Sequence, residues 1–372
     1  MAERGKATGR HSSLVNPTDL FLFGLIIALV AFGLNILLAS SSFMAREQFS
    51  DPYFFLKKQA FAAFLGFLGM LAMTQIDPDR YRHWVWPLYA ISILLLILVF
   101  VPGIGRRAGG ASRWIAMGGL SVQPSDFAKV ALVLVLARIY SQATVVDFRL
   151  SMMTLFIIAV PAFLIAIEQD LGTAIHLVLV ASTLLFFTRY PLTMQLAALV
   201  SGVAVVAYVI VKTPFRLGRI KAFLDPWESR YDAGFQLVAS MKAFLAGGIS
   251  GRGLGEELVR HHLQERHTDF ILAIVAEDLG AIGVIILLGA YFVIATYGLI
   301  LASRLKDDFM RLMATGFLLC LVLQVIINSA VTMGLLPTKG INLPLVSNGG
   351  TSLLVYLVMC GMMLSALRRE QN

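Results

Sequence analysis

Residues 270–302 read FILAIVAEDLGAIGVIILLGAYFVIATYGLILA, and Glu277 and Asp278 are the only charges in these 33 positions. About 20 apolar residues in a helix cross the hydrocarbon core of a bilayer, so this stretch is long enough to do so. Working outward, comparable runs occur at 20–41, 59–76, 84–104, 124–141, 150–167, 171–189, 192–211, 309–335 and 346–366, which with the first makes ten. Composition agrees. The 372 residues are 58% hydrophobic and 14% charged, against about 25% charged in a typical soluble domain. Disorder, a collagen-like fibre and a disulfide scaffold are excluded. The expected fold is an all-α integral membrane protein of about ten transmembrane helices. The two cysteines, Cys320 and Cys360, sit in apolar runs and read as small buried hydrophobes.

Lys and Arg set the orientation, because they accumulate on the cytoplasmic side. With a cytoplasmic N-terminus, the inside segments hold 13 of them: Arg4, Lys6, Arg10, Arg80, Arg82, Arg138, Arg149, Arg189, Arg304, Lys306, Arg311, Arg368 and Arg369. The short outside segments hold seven. Both termini are therefore expected inside. Residues 1–18 read as a cytoplasmic basic tail, 19–369 as a single polytopic membrane domain and 370–372 as a short tail. Within that domain, 212–269 is a large outer loop with nine basic and seven acidic residues in 58 positions. Its apolar run from Ala233 to Leu245 is too short to span and reads as a re-entrant or interfacial helix. Five glycines follow, at 247, 248, 251, 253 and 255. Composition alone allows a flexible loop here; the sharper reading is a functional site carried on a rigid scaffold. The net charge of +8 comes without a polybasic run or a basic, aromatic-interleaved strand, so nucleic acid is not an expected partner.

Ionisable groups at or inside a span are costly and hence functional candidates. Asp269, in His267-Thr268-Asp269-Phe270, is the last acid before an apolar run. Partial desolvation there would make it a better base, and a helix cap formed by Thr268 or Asp269 is the competing reading. Glu277 and Asp278 lie about two turns deeper and suit either a structural ion pair or a catalytic role. Asp126 and Lys129 stand three apart, on one helix face, behind a Pro124 suited to a first helical position. They read as a cavity-lining ion pair or as a helix start with an incidental pair. The turn from Pro337 through Lys339 to Ser347 and Ser352 is polar and glycine-bearing. It permits close helix packing or a backbone approach to an anionic head group.

Taken together, several stretches resemble one family, the shape, elongation, division and sporulation family of membrane glycosyltransferases (FtsW, RodA and SpoVE type), with a slight lean to the FtsW branch. They are Ala111 to Ile115, Gln123 to Lys129, Asp170 to Ala174, Arg230 to Gln236, Gly251 to Gly255, His267 to Phe270, and Gly334 to Ser352. The resemblance covers nearly the whole chain. The family pattern usually has Glu where Asp126 stands, and Tyr or a similar residue where Asn348 stands.

The resemblance implies a peptidoglycan polymerase that joins lipid II, a disaccharide-pentapeptide on undecaprenyl diphosphate, to the 4-hydroxyl of an acceptor sugar with inversion. Its essential acid maps onto Asp269, as general base. Arg113, Trp114, Asp126 and Lys129 map onto important positions. Substrate contacts are expected from Arg216, Arg219, Arg252, Arg260, Arg266, His267, Thr268, Lys339 and Ser347, with arginine suited to phosphate by its bidentate fork. Glu277, Asp278 and Gln236 are expected to be structural or supporting. No cofactor is required, and room is left for a divalent cation, magnesium or manganese, at the diphosphate. The implied setting is the bacterial cytoplasmic membrane, with the site on the extracytoplasmic side. The implied partners are a class B penicillin-binding transpeptidase and other membrane proteins of division or elongation. A lipid II flippase is the rival reading, and a recruiting scaffold a third; the crowding of charge toward the outer side favours chemistry.

Overall fold

The structure, a computed structural model, describes residues 17–108, 111–117, 120–253 and 267–371. Three helices come first: α1 (Pro17–Phe49), α2 (Phe54–Gln75) and α3 (Pro78–Leu98). A small antiparallel sheet follows: β1 (Gly105–Ala108), β2 (Ala111–Met117) and β3 (Leu120–Val122), in the order β1-β2-β3. Then come α4 (Pro124–Tyr140), α5 (Phe148–Ile167), α6 (Leu171–Leu185), α7 (Leu192–Lys212), α8 (Pro214–Leu224) and α9 (Phe235–Gly247). The last three are α10 (Ile271–Ser303), α11 (Asp308–Thr332) and α12 (Gly350–Gln371).

Each of the ten apolar runs falls on a helix, but the helices differ in reach. Eight are long and apolar enough to cross a membrane: α1, α2, α3, α5, α7, α10, α11 and α12. The runs at 124–141 and 171–189 give only 17 and 15 helical residues, α4 and α6. Both are short of the roughly 20 that a crossing needs, so length and composition alone mark eight crossings among the described residues. Both are largely buried inside the bundle. A helix buried on all sides is apolar all round, which is why these two runs look like spans in the sequence. The sheet is a second departure from the all-α expectation: the 84–104 run stops being helical at Leu98, and a hairpin takes over.

Helix starts follow local chemistry. Pro78 and Pro124 occupy the first turn of α3 and α4, where a missing N–H costs nothing. Asp77, Asp147, Asp170 and Asp307 accept hydrogen bonds from N–H groups in the first turns of α3, α5, α6 and α11. A shared apolar core joins α1 to α6 with α9 to α12. By contrast, α7 and α8 are peripheral, each with one buried residue, Gln195 and Ala222. Outward-facing side chains are apolar, among them Phe64 on α2, Phe156 and Phe163 on α5, and Val200 on α7. An apolar exterior on that scale belongs against lipid.

One helix is broken. Gly280 inside α10 has φ +67° and ψ −166°, which interrupts the hydrogen-bond ladder in the middle of the bundle. Backbone groups there have no water to turn to and must be satisfied by protein. The glycine-rich segment after α9 does this. Arg252 N and Gly253 N donate to the Glu277 and Asp278 carbonyls, both at 3.0 Å, and Ala281 N and Ile282 N donate to the Gly248 and Ile249 carbonyls at 2.9 and 3.2 Å. Contact this close excludes side chains. A Cβ on Gly247 would strike the Ala276 carbonyl oxygen, and one on Gly251 the Asp278 carbonyl oxygen.

Gly251 and Gly253 separate strain from collision. Both have positive φ, +79° and +99°, but only Gly251 has backbone where a Cβ would stand. Gly253→Ala should therefore cost about 1–2 kcal/mol from the left-handed backbone alone, and Gly251→Ala clearly more. Thermal unfolding in detergent checks the order, and equal losses would contradict the docked loop.

Candidate active site

The site is organised around the head of α10. The helix begins at Ile271, and its cap position, Phe270, makes no side-chain capping bond. Three consecutive carbonyls before the helix are held from α11 and from the segment between α11 and α12. Asn348 N donates to His267 O at 2.9 Å. Ser347 Oγ donates to Thr268 O at 2.6 Å. Asn328 Nδ2 donates to Asp269 O at 2.8 Å and to Ile341 O at 2.7 Å. The holding segment is itself tied down: Gln59 donates to Ser347 O and accepts from Gly349 N, at 3.0 and 3.1 Å.

Asp269 opens into a cavity of about 820 Å³. Gly340 makes room for it, since a Cβ there would lie 3.0 Å from Asp269 Oδ2 and 4.0 Å from Arg113 Nη1. Besides the paired Lys129, four cations line the same cavity: Arg113 from β2, Arg216 and Arg219 from α8, and Lys339 from the loop after α11. Arg113 Nη2 donates to the Gln169 carbonyl at 2.8 Å, and the Arg219 guanidinium stacks 4.6 Å above the Phe215 ring. Burial first, and then the neighbouring Arg113, pull the Arg219 pKa below its ordinary value, against the opposing pull of Asp269. Lys339 is lowered in the same way, first by burial, with Asp170 opposing and Arg216 and Arg219 reinforcing the shift. Mutual repulsion among cations held this close is relieved by an anion.

The floor is polar and closed. Asp126 and Lys129 form an ion pair at 3.0 Å with both side chains 5% exposed. Lys129 also donates to Gln324 Oε1 at 3.0 Å, Tyr356 donates to the same oxygen at 2.7 Å, and Gln324 Nε2 reaches the Asn342 side chain at 2.7 Å. His176 lines the cavity and contacts the Cys320 carbonyl through Nε2 at 3.0 Å. Nearby, Asp170 caps α6 through Thr173 N and accepts from Thr173 Oγ1, at 3.1 and 2.9 Å.

Of the residues expected from sequence, Asp269, Arg113, Trp114, Asp126, Lys129, Arg216, Arg219, Thr268 and Lys339 all line this one cavity. Gln236, expected as support, lines it as well. His267 and Ser347 do not. His267 is buried against the Phe55 ring at 4.9 Å, and Ser347 works beneath the loop. Arg252 lies at the α10 break, away from the lining. Glu277 and Asp278 are buried in α10 beside the same break. Arg260 and Arg266 lie outside the described residues. Sequence reasoning passed over Gln324, Asn328, His176, Gln59 and Glu168. Their signal was a single polar residue inside or at the end of an apolar run. Among the described residues, no group of three or more His, Cys, Asp and Glu is placed to hold a metal ion.

Comparison with known proteins follows the same outline. Residues 19–372 match the model of the FtsW, RodA and SpoVE family, described as cell cycle protein. The chain is 38% identical over 354 residues to the probable peptidoglycan glycosyltransferase FtsW of Trichlorobacter lovleyi, covering 93% of this chain and 92% of the relative. It is 34% identical over 354 residues to the stage V sporulation protein E of Bacillus subtilis, covering 94% and 97%. Among solved structures, it is similar to a chain from work on the structural coordination of polymerization and crosslinking by a peptidoglycan synthase complex, with a TM-score of 0.79, 28% identity and coverage of 95% and 98%. It is also similar to the rod shape determining protein RodA of Thermus thermophilus, with a TM-score of 0.71, 27% identity and coverage of 95% and 98%.

The floor generates a stability prediction. Removing one partner of a buried ion pair strands the other charge, at about 3–5 kcal/mol. Lys129→Met should lower thermal stability in detergent by that order, and Lys129→Met combined with Asp126→Leu should recover part of it. A single variant as mild as loss of the exposed Lys57–Asp51 pair would contradict the burial.

Proposed function

The chain belongs to the FtsW, RodA and SpoVE family, and on that premise we propose how this peptidoglycan glycosyltransferase works. The substrate is lipid II, entering the cavity with its diphosphate among Arg113, Arg216, Arg219 and Lys339. The acceptor 4-hydroxyl oxygen attacks the anomeric carbon of the donor sugar. As the new C–O bond forms, the bond to the diphosphate breaks, and the hydroxyl proton passes to Asp269. A single displacement inverts the anomeric centre, and because a diphosphate leaves as a stable anion without being protonated, the one carboxylate required is the base. The observation that carries the reading is the placement of Asp269 Oδ2 beside Gly340 and Arg113 in a cavity lined by four cations. The other two acids of the lining are engaged elsewhere, Asp170 with Thr173 and Asp126 with Lys129.

The cations act on the leaving group. A diphosphate gains negative charge as its bond to carbon breaks, and fixed cations in a partly dry cavity stabilise that change more than water does. Arg113 and Arg219 also keep a nearby carboxylate ionised and ready to accept a proton. A divalent cation at the diphosphate would draw its ligands from phosphate and water; no step here depends on it.

The protein is multi-pass, and we place it in the bacterial cytoplasmic membrane with both termini inside. That puts the cavity end on the extracytoplasmic side, where lipid-linked units are polymerised. The opposite end of the bundle is joined by ion pairs, Arg82 with Asp307 and Arg369 with Asp77 and Asp79. Those links favour a one-sided cavity over the through-path that a flippase needs. The likeness to a chain of a peptidoglycan synthase complex that coordinates polymerization and crosslinking supports a class B penicillin-binding transpeptidase as partner. Identity of 38% to the FtsW relative, against 34% to the sporulation protein and 27% to RodA, supports the division branch.

Asp269→Asn in purified protein with lipid II should lower glycan polymer formation at least about 10²-fold, the smaller end of what a general base contributes, with thermal stability unchanged. Polymerisation at the wild-type rate would overturn the assignment.

A further inference from the structure

One buried carboxyl has no place in the mechanism above. Glu168 caps the C-terminal end of α5 and is 2% exposed, and its side-chain Oε1 is fully enclosed with no hydrogen-bond partner among the described residues. Orphaned buried groups of this kind are uncommon and call for an explanation. A second orphan belongs with it: Arg113 Nε is buried and also without a partner. The charge of Arg113 acts on Glu168. The two are tied to one turn, because Arg113 Nη2 donates to the carbonyl of Gln169, the residue after Glu168. Gln169 has φ +65°, an uncommon conformation for a residue other than glycine, and such backbone is held in place by its surroundings, often at functional sites.

We propose that Glu168 and Arg113 form a latch beside the active site, with Glu168 as a positioning residue for the arginine. With Glu168 protonated, the guanidinium stays at the cavity, near Asp269 and Gly340. With Glu168 ionised, the two orphans pair, and Arg113 is drawn off the cavity. The proposal rests on the role given above to Arg113 and Asp269 and adds a control over it. An acceptor and a donor, both buried and both unsatisfied, gain a charge-assisted hydrogen bond when they meet, so the paired state is the better one once the carboxyl carries charge.

The charged groups facing Glu168 are few. Burial is the largest influence and raises its pKa; Asp170 at the head of α6 raises it further, and Arg113 from β2 lowers it, leaving it near about 8. The Asp126–Lys129 pair at the head of α4 is closed on itself. The charges of α3 sit in its first turns, Asp79 to His83, at the other end of the bundle. The carboxyl is therefore mostly protonated at neutral pH and titrates just above it. The sign for stability follows. The unfolded chain ionises Glu168 in the ordinary carboxylate range while the fold retains the proton, so stability is full at low pH and is lost as pH rises toward about 8.

The test compares purified full-length wild type with Glu168→Gln, polymerising lipid II between about pH 6.5 and about pH 9. Gln mimics the protonated carboxyl. Wild type should lose activity about tenfold between neutral pH and one unit above a midpoint near 8, as the ionised fraction approaches about nine-tenths. Glu168→Gln should match wild type at pH 7 and show no step. The same step in both proteins would overturn the latch, as would a folded Glu168→Gln that is inactive at pH 7. Thermal unfolding gives a second reading. The wild-type midpoint should fall relative to Glu168→Gln as pH rises over this window, and parallel curves would overturn the buried carboxyl. The outcome is separable from that of the base, because a flat Glu168→Gln profile alongside an active Asp269→Asn protein would remove Asp269 and keep the latch.

Discussion

Inside a bilayer-spanning bundle every peptide group must find a partner in the protein, and this chain breaks that rule's simplest solution twice in one helix. α10 is preceded by an irregular head at 267–270 and interrupted at Gly280. Each irregularity leaves carbonyls or N–H groups that a helix would have used, at several kcal/mol apiece if left in hydrocarbon. The glycine segment 247–253 serves the break, and the 342–349 loop with Asn328 serves the head. The second arrangement is what presents Asp269. A carboxylate on a loose loop would sample many positions. Here the peptide that carries it is fixed on three successive carbonyls, so the side chain projects from a rigid mount into the cavity.

The charges are arranged by the same economy. Lys129 is buried with its carboxylate partner and a glutamine, which removes it from the pool of cations free to meet a substrate. Arg113, Arg216, Arg219 and Lys339 face the cavity together and repel one another. A dianionic diphosphate relieves that repulsion, and its departure restores it. The cavity is thus electrostatically strained in the direction of anion binding, and Asp269 stands beside two of these cations.

Much of this was legible in the sequence. The apolar runs located the ten main helices, since their periods and lengths are direct physical demands of the bilayer. Asp269 was identifiable as the last acid ahead of an apolar run, although spacing alone could not separate a base from a cap. The helix starts two residues later, at Ile271. At 124–141 and 171–189 the helices are shorter than the apolar runs suggest, because interior helices and lipid-facing ones share an apolar composition. The hairpin at 105–122 escaped notice because its strands are three to seven residues long and carry no long alternating pattern. Asn328 and Gln324 were passed over because each stands alone in an apolar helix. Only the fold shows that Asn328 answers two carbonyls and that Gln324 completes an ion pair.

The pinned loop sets the position of Asp269. The most direct measurement is lipid II polymerisation by Asn328→Leu, with kcat and KM resolved and thermal stability followed in parallel. Removing the side chain that holds the Asp269 and Ile341 carbonyls should lower kcat by about 10²-fold, as small misplacements at a reacting centre do, with KM little changed and the fold retained. A folded Asn328→Leu protein with the wild-type kcat would contradict it.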